Sequence, residues 1–318
     1  MNRKLRSLWV MILFASCMPV QTATPSPQPS AAIVSISKPT STFVIPTQTA
    51  TLHPTVTPTA TAIPCDPFTA DFCITDGNFI LQRPILPSAN DSVDRTYPFA
   101  STADGTRDPH HGVEFVNAFG TPVYAAGDGS VIFAGLDDVA IYSPWRVYYG
   151  NLVVIEHEDN LFTLYAHLSK IDVKTGDLIA MGDKIGEVGQ SGVAIGSHLH
   201  FEVRRGDVED YFSTVNSELW LTPRTSNSGA IEFSIVNENS QFQKATITVQ
   251  HVDESNNVLG VYYIDTYHPT LTTRTENAAI GDLSAGRYRI TLIHNGGFYE
   301  RWVEVQSSKL TQVVIVVK

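Results

Sequence analysis

Basic side chains are scarce in this sequence: 21 Lys and Arg stand against 32 Asp and Glu, a formal charge of −11 over 318 residues, and they form no cluster. A phosphate-binding surface needs such a cluster, so no nucleic-acid partner is expected. Long apolar runs are missing too. The run Leu8 to Ala15 follows Arg3, Lys4 and Arg6 and is too short to span a bilayer, which is the layout of a secretory signal. Between Met18 and Pro64 the only charge is Lys38 and no hydrophobic period exists. Ordering that Thr- and Pro-rich stretch would cost more entropy than its few apolar residues offset, so it reads as a stalk. At roughly 3 Å per residue it reaches on the order of 100 Å. Cysteine is limited to Cys17, Cys65 and Cys73. With Cys17 closing the export segment, Cys65 and Cys73 remain either as a disulfide in an oxidising compartment or as a reduced pair.

What is present is globular: 43% apolar and 17% charged residues suit two modest domains. LFASC, ending at Cys17, resembles a bacterial lipoprotein signal. That resemblance implies lipidation of Cys17 and anchoring at the outer face of the membrane; plain cleavage and an uncleaved N-terminal anchor are the alternatives. Residues 65 to about 100, with CDPFTADFC and the strand-like run FILQRPIL, read as the N-terminal edge of the next domain. From Thr106 to Pro223, short β-prone runs alternate with Gly-Asp and Asp-Gly turns, and no helical periodicity is sustained. This predicts an all-β domain of packed antiparallel sheets over 65–225. After the turn-rich RTSNSG, alternation in AIEFSIVN, KATITVQHV, GRYRITLIH, FYERWVEVQ and LTQVVIVVK predicts a small β-sandwich over 228–318, with a hairpin at Asn295-Gly296-Gly297 between the third and fourth of these runs. LSAGRYRITL resembles transthyretin-like or carboxypeptidase-regulatory-like accessory domains.

The chemistry centres on GSHLHFEV. On a strand His198, His200 and Glu202 share one face, and neighbouring imidazoles invite a metal. RDPHHGVEF supplies His110 and Glu114, with Gly112 permitting the turn of backbone between them. YAHLS supplies His167 just past the strand LFTLY.

Together, His-x-Gly-x-acid, GTPVYAAGDGSV, YAHL and HLHFEV resemble the lysostaphin-type (LytM-like) zinc endopeptidases of bacterial cell walls, over about residues 106 to 222 including NSELWLTP. The resemblance implies a groove-bearing antiparallel β domain, one Zn²⁺ and cleavage of peptidoglycan peptides outside the cytoplasm. It implies His110, Glu114 and His200 as zinc ligands, with His167 and His198 as catalytic neighbours of the bound water. Three protein ligands and an open fourth position are what catalytic zinc uses, and the metal lowers the pKa of its water to about 7. Either His167 or His198 then serves as base, acid or oxyanion donor. Glu202 either orients a ligand imidazole or is a solvated strand carboxylate.

The family pattern has Asp where this chain has Glu114, a change of one methylene. It motivates a second reading, a catalytically weak or inactive regulator or wall-binding module. Five histidines (His53, His157, His251, His268 and His294) read as structural, and His111 as a surface or groove residue. Tyr142, Trp145, Tyr148 and Tyr149 either cover the β core or line a cleft. Tyr262, Tyr263, Tyr288 and Trp302 are expected to fill the sandwich.

Overall fold

β-branched and aromatic residues alternate with polar ones between Gly-containing turns over much of residues 106–318, and among the described residues strands account for nearly all of the regular structure. The computed structural model describes residues 65–103, 105–271 and 275–318. The expected export segment (1–17), the stalk (18–64) and His53 lie outside the described residues. Among those described, no helix is long and apolar enough to cross a membrane. Cys65 and Cys73 are joined as a disulfide.

The strands run β1 (Cys73–Thr75), β2 (Val113–Val116), β3 (Pro122–Tyr124), β4 (Gly129–Leu136), β5 (Asn151–Glu156) and β6 (Leu161–Ala166). They continue as β7 (Lys170–Ile171), β8 (Leu178–Ile179), β9 (Lys184–Glu187), β10 (His198–Arg205) and β11 (Thr214–Val215). A seven-stranded antiparallel sheet has the order β11-β10-β6-β5-β4-β8, with β2 also pairing β10, and β3-β9-β7 form a smaller sheet. Both faces of the large sheet are covered, so β6 is buried at every position. Val113, Phe115, Leu199, Phe201 and Val203 point into one apolar core. Tyr142, Tyr149 and Tyr211 close over the other face with Leu152, Val154 and Leu164. The aromatic segment is therefore core cover at Tyr142 and Tyr149, while Trp145 stays 42% exposed.

The second half contributes β12 (Ser228–Val236), β13 (Thr246–Val252), β14 (Val258–Asp265), β15 (Ala278–Ser284), β16 (Gly286–His294), β17 (Gly297–Val305) and β18 (Leu310–Val316). They form a sandwich of two four-stranded sheets, β1-β18-β12-β15 and β14-β13-β16-β17. Asn295 and Gly296 make the two-residue turn between β16 and β17, both at positive φ as a type I′ hairpin requires.

Four expectations are corrected. β1, assigned from sequence to the edge of the first domain, pairs instead with β18, where Cys73 is buried and the preceding Phe72 packs on the sandwich core. Of the run Phe79 to Leu86, only Leu81 forms a bridge, to Leu221. Tyr263 is 74% exposed on the outer face of β14, whereas Tyr288 is fully buried. Trp302, on the outer face of β17, lies under the Arg287 guanidinium at 4.3 Å rather than in the core.

Candidate metal centre

The register of β10 creates the centre. His200 is paired with Glu114 of β2 on one side and with Ala166 of β6 on the other. Strand alternation turns Leu199, Phe201 and Val203 into the core and leaves His198, His200, Glu202 and Arg204 as a polar row on the opposite face. His167 follows Ala166 directly at φ 61, a left-handed conformation that lifts its ring over the sheet edge. Gly112 is required by crowding: a Cβ there would meet the Phe201 carbonyl at 2.5 Å and the His200 ring at 2.8 Å.

Three ligand-capable atoms converge. His110 Nε2 lies 2.9 Å from Glu114 Oε1 and 3.2 Å from His200 Nδ1, and the latter is 3.0 Å from Glu114 Oε1. Hydrogen bonds fix which lone pairs face inward. The His110 Nδ1–H donates to the Pro98 carbonyl at 3.2 Å, and the His200 Nε2–H donates to Glu202 Oε1 at 3.0 Å. In their neutral forms His110 Nε2 and His200 Nδ1 therefore carry lone pairs aimed at a carboxylate. Such a group is stable only with a proton or a cation at its middle.

Electrostatics point the same way. Burial disfavours charge on His200, yet Glu114 and Glu202 outweigh it and raise its pKa to about 10. Burial alone would push the Glu114 carboxyl up, but His200 and His110 hold it well below its ordinary value. Without a metal, the cation that Glu114 calls for is the proton of His200, in the position a divalent ion would take. The donor set fits zinc: ligands at about 2.0–2.1 Å around a tetrahedral ion stand roughly 3.3 Å apart, close to the 2.9–3.2 Å edges seen here. Glu114 Oε2 is buried without a hydrogen bond and lies 3.3 Å from His198 Nε2, the partly exposed side of the group.

His167 and His198 stand beside these atoms, with ring centroids 4.9 Å apart and His167 5.6 Å from His200. Their Nδ1–H groups donate to the carbonyls of Ser191 (2.9 Å) and Gly196 (3.1 Å), which leaves each Nε2 unprotonated in the neutral ring. Burial, reinforced by the neighbouring His200, lowers the His167 pKa to about 3, so that ring is neutral at pH 7.

Glu202 is a buried acceptor and not a solvated carboxylate. Its Oε1 accepts from His200 and from Tyr149 Oη–H at 2.6 Å, and its Oε2 pairs with Arg204 at 2.8 Å. Burial raises its pKa, but Arg204 and His200 prevail and hold it at about 2. Arg204, fully buried, also donates to the carbonyls of Val208 and Tyr142.

All five residues expected at the site are brought together. The sequence reading missed Arg204 and Tyr97, whose ring stacks on His110 at 4.0 Å, and had Tyr149 only as core cover or cleft lining. Arg204 had a signal, since it continues the His198, His200, Glu202 row at period two; Tyr97 had none. His111, expected at the surface or in a groove, is 2% exposed. It stacks on Tyr211 at 3.7 Å and donates from Nδ1 to the Tyr211 carbonyl, because the strand path that sends His110 inward sends its neighbour against the aromatic cover. The structural readings of His157 and His251 agree with their contacts, respectively to Asp128 O and Thr163 Oγ1 and to the Tyr288 ring.

A family model described as peptidase family M23 matches residues 108–211. Two curated relatives from Vibrio cholerae serotype O1 are the peptidoglycan DD-endopeptidases ShyA and ShyB, 42% and 46% identical over 95 residues. Each alignment covers 30% of this chain and 20% of the relative, so the chain spans about a fifth of the length of the relatives it matches. Among solved structures, a zinc-containing peptidase from Vibrio cholerae is 35% identical, covering 40% of this chain and 37% of that one at a TM-score of 0.33. The matched segment includes His110, Glu114, His167, His198 and His200, and the chain carries a peptidase family M23 domain of the LytM-like type over residues 108–211.

Proposed function

We propose that this chain is a zinc metalloendopeptidase that hydrolyses peptide bonds in peptidoglycan stems or cross-bridges. The observation that carries the reading is the convergence of His110 Nε2, Glu114 Oε1 and His200 Nδ1 within 3.2 Å of one another, beside two further imidazoles. In this reading those three residues hold the metal. Zinc bound there supplies a Lewis acid that acidifies water and polarises a carbonyl. Glu202 keeps the His200 Nε2 proton and so directs its Nδ1 lone pair inward, while the Pro98 carbonyl does the same for His110. Hydrolysis requires one proton to leave the attacking water and one to reach the departing amine. The Nε2 atoms of His167 and His198 are the carriers at hand, each ring being held through Nδ1 by a backbone carbonyl.

The location follows from the substrate: the enzyme acts outside the cytoplasm. The N-terminal segment serves export, anchoring at the outer face of the membrane runs through Cys17 or that segment itself, and residues 18–64 act as the spacer. The β-sandwich is the accessory domain.

Purified peptidoglycan incubated with the zinc-loaded chain and analysed by mass spectrometry should yield newly cleaved peptides, and the His200→Ala chain should yield none. Intact muropeptides with the wild-type chain sink the proposal. The regulator reading rests on Glu114 standing where the family pattern has Asp. Against it, Glu114 Oε1 reaches both imidazoles at 2.9–3.0 Å. Glu114→Asp decides: activity gained from nothing supports the regulator, and similar activity in both forms rejects it.

A further inference from the structure

The first apolar core is completed by residues from the C-terminal half. Tyr267 and Leu271, from the segment that follows β14, are buried in the same cluster as Phe99, Ala100, Val113 and Leu199. Tyr267 meets Phe99 edge to face at 5.1 Å and 80°. Its hydroxyl accepts from Asn216 Nδ2 at 3.0 Å, and its N–H donates to the Asn277 carbonyl at 2.6 Å. The ring is thus fixed from two sides.

Phe99 sits in the middle of the segment that holds His110. Pro98 O accepts the His110 Nδ1–H; Ala100 N–H donates to His110 O at 2.7 Å, and His110 N–H donates to Ser101 O at 2.9 Å. Tyr97 covers the His110 ring. Any shift of Phe99 therefore moves the carbonyl that decides which His110 nitrogen keeps its proton. Nearby, Arg95 pairs with Glu218 at 3.1 Å and donates to Gly281 O of β15, while Arg83 pairs with Asp282, so the sandwich is held against this region by more than one contact.

We infer that Tyr267, a residue of the C-terminal sandwich, is a positioning residue for the metal centre: by holding Phe99 it fixes the Pro98 carbonyl and with it the His110 lone pair. The inference rests on the proposed role of His110 as a ligand. It gives the sandwich a part in forming the site, beyond that of an appended module.

The test measures cobalt affinity on the full chain by competition with a chelating indicator, together with the visible absorption of the bound cobalt. Tyr267→Ala should weaken affinity by about tenfold to a hundredfold and alter the cobalt spectrum, whereas Tyr267→Phe, which keeps the ring, should stay within about threefold of wild type. Should Tyr267→Ala fail to fold, Tyr267→Leu keeps most of the buried volume without the edge-to-face contact, and the same loss is expected. Ile290→Ala, in the separate core of the sandwich, controls for general destabilisation and should leave affinity unchanged. Wild-type affinity and spectrum in the Tyr267 variants, or an equal loss in Ile290→Ala, overturns the inference. A wild-type chain that binds cobalt but leaves peptidoglycan intact refutes the proposed activity while the affinity series still supports the positioning role.

Discussion

Replacing Glu202 with Gln isolates what holds His200. The substitution keeps the shape and removes one charge, so the buried guanidinium of Arg204 loses its ionic partner. Breaking a buried pair of this kind costs about 3–5 kcal/mol. Arg204 retains the carbonyls of Val208 and Tyr142 and the Tyr149 hydroxyl as acceptors, which places the cost near the lower end, about 3 kcal/mol. For a body of this size that is a melting-temperature loss of roughly 6–12 °C. The new amide cannot satisfy both neighbours, because His200 Nε2–H and Arg204 are both donors. The charged guanidinium takes the oxygen, the amide NH₂ faces His200, and the imidazole must move its proton to Nδ1, which removes the lone pair aimed at the metal position. Zinc affinity should fall about tenfold to a hundredfold. Adding Arg204→Met frees the amide to turn its oxygen toward His200, so the double variant should regain both stability and part of the affinity. Chelator competition and thermal melts on the three proteins check this. Wild-type zinc affinity in Glu202→Gln, or a double variant worse than the single, refutes the account of Glu202.

Gly112→Ala should abolish zinc binding while the sandwich still folds, since the added methyl group would sit 2.5 Å from the Phe201 carbonyl and press on the His200 ring; metal analysis and near-ultraviolet circular dichroism report the two effects. Burial holds the His157 pKa below its ordinary value of 6.5 against the opposing hydrogen bond to Asp128. With the folded value depressed, the unfolded chain binds the proton first, so this contribution to stability is complete above pH 6.5 and is lost as pH falls below it. His157→Gln should accordingly show a shallower fall in melting temperature between pH 7 and pH 5 than the wild type, and an unchanged slope would contradict the assignment.

The centre was legible wherever its logic is local. Alternation along HLHFEV puts His198, His200 and Glu202 on one face, Gly112 marks where backbone must bend, and His167 stands just past the strand LFTLY; the family motifs then joined the three stretches. The hairpin at Asn295-Gly296 was readable for the same reason, since two positive-φ positions leave few residue choices. What escaped depends on partners far along the chain. β1 is three residues whose strand partner, among the described residues, lies beyond residue 309. β15 is buried at its first four positions and interrupted by Gly281, so it shows no alternation. Tyr267 and Leu271 fill the first core from the second half, and no period in their own segment says so. His111 was misjudged because adjacency to His110 says nothing of Tyr211, the ring that buries it.

The central claim is that His110, Glu114 and His200 form a zinc site. Its most direct test is the zinc content of the purified full chain, wild type against His200→Ala, after equilibration with zinc and removal of loosely bound ion. The account predicts about one zinc per wild-type chain and essentially none in the variant, as expected when one of three protein ligands is removed. A wild-type chain free of zinc, or a variant that retains it, would contradict the account.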